Sequence, residues 1–583
     1  MTRLLEKVDL PKGLKDLTID ELKIIATEIR EGIINRVNIV GGHLGPDLGI
    51  VEATIALHSV FNSPVDKIVW DVSHQCYPHK MLTNRSRAFF NPLENKDISG
   101  YSNPQESAHD YFVVGHTSTS ISLATGLAKA RDLKKENYNV IAIIGDGSLS
   151  GGQAFEGLNN AATLNSNLII IVNDNEMSIA ENQGGLYENL RLLRESQGQA
   201  ENNFFKTLGF EYYYQEEGND IEKMMKSLEK IKDAKKPTVL HIRTLKGKGF
   251  QPAIDDKEWG HWTVSGILEE KKDRIPSGES YESLTTDFIL NKKSQNLPIV
   301  AISPATPGAT GFYKEFRKKL AENYTDVAIA EQHAIGYAAG IAQNGGKPVV
   351  AILSSFIQRA YDQLSQDLAL NNAPATILVY WGGISPADMT HLGSFDIPLI
   401  SNIPNIVYLA PTCKEEYLAM LEWSTSQNQH PVVIRVPFKE FISTGIEDKT
   451  DYSNLNKYKI INQGSDVAII AAGNFFALGQ KVQKELEAKN INATLINPIY
   501  LTGIDEKLLN SLKQNHKLVI TLESGVLDGG FGEKIARFYG NSDIKVLNYG
   551  GKKEFTDRID MEELLVRYRL KPELIVQDIL ALI

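Results

Sequence analysis

Apolar, β-branched runs recur along the chain. They fall at Val140–Ile144, Leu168–Val172 and Thr238–Ile242, then at Pro348–Leu353, Ala375–Val379 and Ile406–Leu409, and again at Val467–Ala472, Ala493–Ile496 and Leu518–Leu522. Runs without polar alternation predict strands buried on both faces, as in parallel sheets. Helix-like stretches such as Ser120–Leu133 lie between them, and this alternation predicts an α/β fold. Two polar stretches, Glu269–Asn296 and Gly445–Lys457, interrupt the series and read as linkers. The expectation is three consecutive α/β domains with mostly parallel sheets, at residues 1–292, 297–447 and 458–583.

Composition narrows the partners. The chain has 583 residues, 42% of them hydrophobic and 23% charged, which is ordinary for globular proteins. A net charge of −11 argues against a general nucleic-acid or membrane-surface binder, because such partners require clustered Lys and Arg. Cys76 and Cys413 are too few for a disulfide framework and fit a reducing compartment. No apolar run reaches the roughly 18 residues of a spanning helix, and the opening MTRLLEKVDLPKGLKDL lacks a signal-peptide core. A cytoplasmic protein acting on small molecules is expected.

The sharpest local feature is Gly145-Asp146-Gly147, directly after one predicted strand. Asn173-Asp174-Asn175 follows the next strand, with 25 residues between the two motifs. Open α/β sheets bind ligands at the carboxyl ends of their strands. Asp and Asn side chains with a backbone carbonyl are hard oxygen ligands suited to Mg²⁺, and glycine lets a backbone approach a phosphate closely. The spacing resembles the diphosphate–Mg²⁺ motif of thiamine diphosphate enzymes, which implies Asp146, Asn175 and the Met177 carbonyl as metal ligands. Such an enzyme also needs a carboxylate beside the cofactor's aminopyrimidine ring and an aromatic stacked on it. Glu331, in Asp326-Val-Ala-Ile-Ala-Glu331-Gln332-His333, and Phe356, in Ser354-Ser355-Phe356, are the candidates. His43, His74, His116 and His391 lie beside Gly, Ser or Thr, as donors to a ligand would, and none has zinc-site spacing. His58, His79, His109, His241, His430 and His516 read as structural or solvated.

Longer segments resemble the 1-deoxy-D-xylulose-5-phosphate synthase family of the transketolase superfamily over nearly the whole chain. They include GGHLGPDLGIVEATIALHSVF, DVSHQCYPHKMLTNR, VVGHTSTSIS, IGDGSLSGGQAFEGLNNA, NDNEMSI, TLKGKGFQPA, DVAIAEQHAIGYAAG, SSFIQRAYDQLSQDLAL and THLGSFDI. The resemblance implies a transketolase-like fold with pyrophosphate, pyrimidine and C-terminal domains. It implies a homodimer that joins pyruvate to D-glyceraldehyde 3-phosphate with loss of CO₂, feeding isoprenoid and thiamine biosynthesis. It implies thiamine diphosphate contacts from His74, Gly115, His116, Thr117, Gly147, Ser148, Asn175 and Phe250. It places His43, His261 and His391, with Arg359, around the substrates, and makes Glu331 the proton-relay carboxylate.

The departures concern the acceptor. Relatives usually read DRAGLVGADGPTHQG where this chain reads Tyr380-Trp381-Gly382-Gly383-Ile384-Ser385-Pro386-Ala387-Asp388-Met389-Thr390-His391, one residue shorter. Trp381 and Phe438 stand where the family has arginines that hold the acceptor phosphate, Leu353 and Phe250 stand where it usually has Tyr, and the connection from NDNEMSI to Leu208 is short. An Arg fork holds a phosphate through charge-assisted bonds worth about 1.5–3 kcal/mol each. Unless Arg359, Lys439 or Lys414 compensates, a different, less charged acceptor is the alternative expectation. A non-catalytic homologue is a second, which the retention of Glu331 and the metal ligands opposes.

Overall fold

The computed structural model describes residues 3–95, 97–269, 278–437 and 441–583. They form two compact units. One comprises the described residues of 1–274 with Ala328–Ala330, and the other holds the rest.

In the first unit, five parallel strands lie in the order Lys67–Trp70, Val140–Gly145, Leu168–Asp174, Pro237–Arg243, Glu211–Gln215. Successive residues of the apolar runs face opposite sides, so each run feeds two cores. Val140, Ala142 and Ile144 pack with Leu168, Ile170 and Val172 beneath the helices Ser120–Lys134 and Gly152–Ala161. Ile141 and Ile143 pack with Ile169, Ile171 and Leu240 beneath Val51–Val60 and Ile221–Ile231. A separate two-stranded ribbon pairs His43 with Trp262 and Gly42 with Thr263.

The second unit carries two sheets. Six parallel strands run Val407–Leu409, Val432–Pro437, Thr376–Gly382, Lys347–Leu353, Ile299–Ser303, Tyr324–Asp326. Five more run Lys459–Asn462, Thr494–Asn497, Asp466–Ala471, His516–Val526, Lys545–Gly551, with only the first antiparallel to its neighbour. One apolar core joins these sheets, since Ile377 and Val379 belong to the same cluster as Ala468, Ile470 and Val519. The α/β reading of the sequence therefore holds, and each predicted strand is present within one or two residues at its start, the longest extension being His516–Val526.

The linker reading of Glu269–Asn296 needs correction. Residues 270–277 lie outside the described set, but Tyr281–Ser294 is a helix with a capping box of Ser280 and Ser283. Tyr281, Leu284 and Ile289 are buried against the sheet strand Ile299–Ser303 and its neighbours. Their spacing makes a narrow apolar stripe, which the surrounding Thr, Asn and Lys residues mask in a linear reading. Among the described residues no helix is long and apolar enough to cross a membrane.

Candidate active site

The two motifs of the first unit sit at carboxyl ends of adjacent strands. Gly145 ends one strand and Asn173–Asp174 end the next, in register with each other. Asp146 begins the turn Gly147–Ser150, and its Oδ2 accepts from Met177 N at 3.1 Å and from Asn182 Nδ2 at 2.7 Å. Burial raises the pKa of Asp146, and the nearby Asp174 raises it further. Asn175 Oδ1 is buried without a hydrogen-bond partner. An orphaned amide oxygen beside a buried carboxylate costs free energy unless a cation or water satisfies it. At Gly147 a Cβ would stand 2.7 Å from Ser178 Oγ and 3.0 Å from Ser178 Cα, so only glycine lets the two loops meet. These residues fit a Mg²⁺–diphosphate group.

Two further loops are tied to this turn. Asp71 accepts from the backbone of Ser118 at 2.8 Å and Ser120 at 3.0 Å, and Ser73 Oγ donates to Val114 O at 2.5 Å. Ser118 Oγ then donates to Ser148 O at 2.8 Å. Gly115, His116 and Thr117 lie between these anchors. Val72 and Ser73 are left-handed, with φ of 56° and 59°. For a β-branched residue this costs about 1–3 kcal/mol, and such strain gathers where structure serves a site.

The ribbon pairing of His43 with Trp262 carries His261 to within 5.4 Å of His43, ring centre to ring centre. His74 lies 5.1 Å from His43 and 5.4 Å from His261. Burial, with the Lys246 charge adding to it, drives the His74 pKa down to about 3, so this ring is neutral. Lys246, itself buried, donates to Ser178 O at 2.6 Å and His261 Nδ1 at 3.1 Å. An ammonium only donates, so His261 carries its own proton on Nε2. Lys246 thus links the histidine group to the loop that meets Gly147. Phe250 packs against the apolar core that includes Ala253 and Trp259.

The second unit holds the other candidates. Glu331 opens the helix Glu331–Gln343, is 5% exposed, and has Arg359 Nη1 at 3.5 Å from Oε2. Burial raises its pKa while Arg359 opposes the rise. Phe356 meets His391 edge to face at 5.6 Å, and His391 Nδ1 pairs with Thr390 Oγ1 at 2.9 Å. Trp381 is left-handed, with φ of 60°, where the sheet register shifts. Gly393 abuts it, since a Cβ there would stand 2.0 Å from Trp381 O.

Several described cations of this unit are engaged. Arg435 is buried, with Nε 2.6 Å from Asp396 Oδ2 and Nη1 2.5 Å from Ser524 Oγ. Lys414 pairs with Glu279 at 2.5 Å. Arg558 reaches the rebuilt loop, donating its backbone N–H to Ala387 O at 2.9 Å, with Nε 3.6 Å from Asp388. Phe438 and Lys439 lie outside the described residues. Leu353 is a core residue beside Tyr380.

A family model described as 1-deoxy-D-xylulose-5-phosphate synthase matches residues 5–203 and 195–244. The transketolase pyrimidine binding domain matches 290–441, and the transketolase C-terminal domain matches 456–575. A 1-deoxy-D-xylulose-5-phosphate synthase of Clostridium tetani is 36% identical over 98% of each chain. The chain belongs to the 1-deoxy-D-xylulose-5-phosphate synthase family. The synthase of Pelotomaculum thermopropionicum is 36% identical, covering all of this chain and 97% of its own. That of Carboxydothermus hydrogenoformans is 38% identical over 98% of both. Membership makes this synthase-family chain a transketolase-type transferase and implies dependence on thiamine diphosphate. Lys246, Asp71, Asn182 and Tyr187 were not singled out from sequence. Lys246 stands in the quoted segment TLKGKGFQPA, but its partner Ser178 is 68 residues away.

Proposed function

We propose that this chain condenses pyruvate with D-glyceraldehyde 3-phosphate, releasing CO₂ and forming 1-deoxy-D-xylulose 5-phosphate. The observation that carries the reading is the unpartnered Asn175 oxygen in the loop that meets the Asp146 turn, within a chain similar along its whole length to such synthases. Asp146, Asn175 and the Met177 carbonyl hold Mg²⁺. Gly115, His116, Thr117, Gly147 and Ser148 hold the diphosphate, with His74 and Phe250 as further cofactor contacts. When bound, thiamine diphosphate supplies the electron sink that pyruvate needs to lose CO₂.

The remaining roles belong to the chain's own side chains. Glu331 exchanges a proton from its carboxyl, and the burial that raises its pKa brings that group toward the working range of a relay. Phe356 offers an apolar face to an aromatic ring. His261, with its proton on Nε2, donates to a substrate oxygen, and His43 and the neutral ring of His74 line the same place. His391 and Arg359 serve the acceptor. We propose Mg²⁺ as the metal, a homodimer as the working form, and the cytoplasm as the compartment, where two buried free thiols persist.

The test is product formation from pyruvate, thiamine diphosphate and MgCl₂, read by mass spectrometry, with D-glyceraldehyde 3-phosphate against D-glyceraldehyde. A large preference for the phosphorylated acceptor, with deoxyxylulose phosphate as product, is expected. Turnover confined to the neutral acceptor would mean that Trp381 marks a different acceptor. No CO₂ from pyruvate with either would overturn the enzyme reading.

A further inference from the structure

The short connection after Asn173-Asp174-Asn175 is not an empty loop. It folds into the helix Gly185–Glu195, whose Leu190 and Leu193 are buried in the same core as Leu149 and Val172. Two side chains of this segment return to the metal turn. Asn182 Nδ2 donates to Asp146 Oδ2 at 2.7 Å. The Tyr187 hydroxyl stands 3.3 Å from the carbonyls of both Asp146 and Gly147. Asn182 Oδ1, like Asn175 Oδ1, is buried without a hydrogen-bond partner.

We propose that Asn182 is a positioning residue for the metal-binding carboxylate, and that Tyr187 holds the turn that carries it. This rests on the reading of Asp146 as a metal ligand. A carboxylate that gives one oxygen to a cation is aimed by what holds the other. Here Oδ2 takes two N–H groups, one from the Met177 backbone and one from Asn182. The backbone donor is common to any side chain at 177, so Asn182 is the donor that a substitution can remove. Tyr187 shares one hydroxyl proton between two backbone carbonyls at 3.3 Å and does not touch the carboxylate oxygen that Asn182 holds, so its effect is the smaller. Outer-shell partners of this kind typically alter metal affinity by about 10–100-fold when removed.

The experiment uses the full-length apo-protein titrated with MgCl₂ at fixed thiamine diphosphate, with cofactor binding read by calorimetry. Asn182→Ala is expected to raise the Mg²⁺ needed for half-saturation by about 10–100-fold. Tyr187→Phe is expected to raise it by less. In both, excess MgCl₂ restores cofactor affinity. A half-saturation in Asn182→Ala within about twofold of wild type, well short of the outer-shell range, overturns the proposal. So does a cofactor defect that excess MgCl₂ leaves uncorrected, since that marks a merely structural role. Wild-type protein that binds thiamine diphosphate equally with and without Mg²⁺ would instead overturn the metal reading of Asp146.

Discussion

Replacing Arg359 with Met removes the positive charge that faces Glu331. The guanidinium nitrogen is 3.5 Å from Glu331 Oε2, with the Arg side chain 21% exposed and the Glu side chain 6% exposed. At an effective dielectric of about 20 the pair is worth at most about 4.7 kcal/mol. That ceiling corresponds to about 3.5 pH units at 1.36 kcal/mol each. Solvent reaches the Arg, so the screened effect is smaller, about 1–2 pH units, in line with opposite charges at this distance. The sign follows from the charges. Arg359 favours ionised Glu331, so its loss leaves burial unopposed and raises the Glu331 pKa. If the ionised carboxylate is the competent form, the acid limb of the pH profile of kcat/KM for pyruvate moves up by that amount. Stopped assays of CO₂ release across pH 5–9 would resolve it, with Arg359→Lys as the charge-retaining control. An acid limb in Arg359→Met that overlays wild type would refute the claim that this pair sets the ionisation of Glu331.

Three further outcomes are expected. Gly147→Ala forces a methyl against Ser178 at 2.7–3.0 Å; overpacking of this kind costs about 1–3 kcal/mol, and cofactor affinity measured by calorimetry should fall accordingly. Arg435→Met leaves the Asp396 carboxylate buried without its counter-charge, supported among the described residues by the Tyr408 hydroxyl at 2.6 Å, which should cost about 3–5 kcal/mol in denaturant unfolding, with much of it recovered in Arg435→Met/Asp396→Leu. His58 and His79, stacked and hydrogen-bonded at 2.9 Å, have pKa values lowered chiefly by burial. The unfolded chain therefore binds more protons below its histidine pKa of about 6.5, so melting temperature should fall as pH drops from 7 to 5, and His58→Phe should flatten that slope.

Much of the architecture was legible because buried parallel strands write themselves as continuous apolar runs. Leu168–Val172 has one reading, since five apolar residues with three consecutive isoleucines fit a strand buried on both faces. The helix Tyr281–Ser294 was illegible for the opposite reason: Tyr281, Leu284 and Ile289 stand among polar residues, and their stripe shows only on a helix. In the site, Asp146 and Asn175 were legible because their spacing and strand ends are local facts. Lys246 and Asn182 were not, because each acquires its role from a partner that folding supplies. Lys246 meets Ser178 across 68 residues, and Asn182 meets Asp146 across 36. His43 and His261 lie far apart in the chain, and only the two-stranded ribbon makes them neighbours.

The Arg435 cluster bears on how this chain can be recombined with its relatives. Arg435 lies in the strand Val432–Pro437 and Asp396 opens the helix Asp396–Ser401, whereas Ser524 lies in the strand His516–Val526 and its partner Asn474, 2.7 Å away, in the turn Gly473–Phe475. A crossover in the irregular stretch 445–457 looks neutral by secondary structure, since it cuts no helix or strand. It nevertheless separates the Arg435–Asp396 pair from Ser524 and Asn474, which bond to it across the join. Chimeras joined there should be viable when both parents carry a matching quartet and should fail when they do not. The C-terminal segment is therefore inherited with its neighbour as one heritable block, whatever the spacing of sequence motifs suggests.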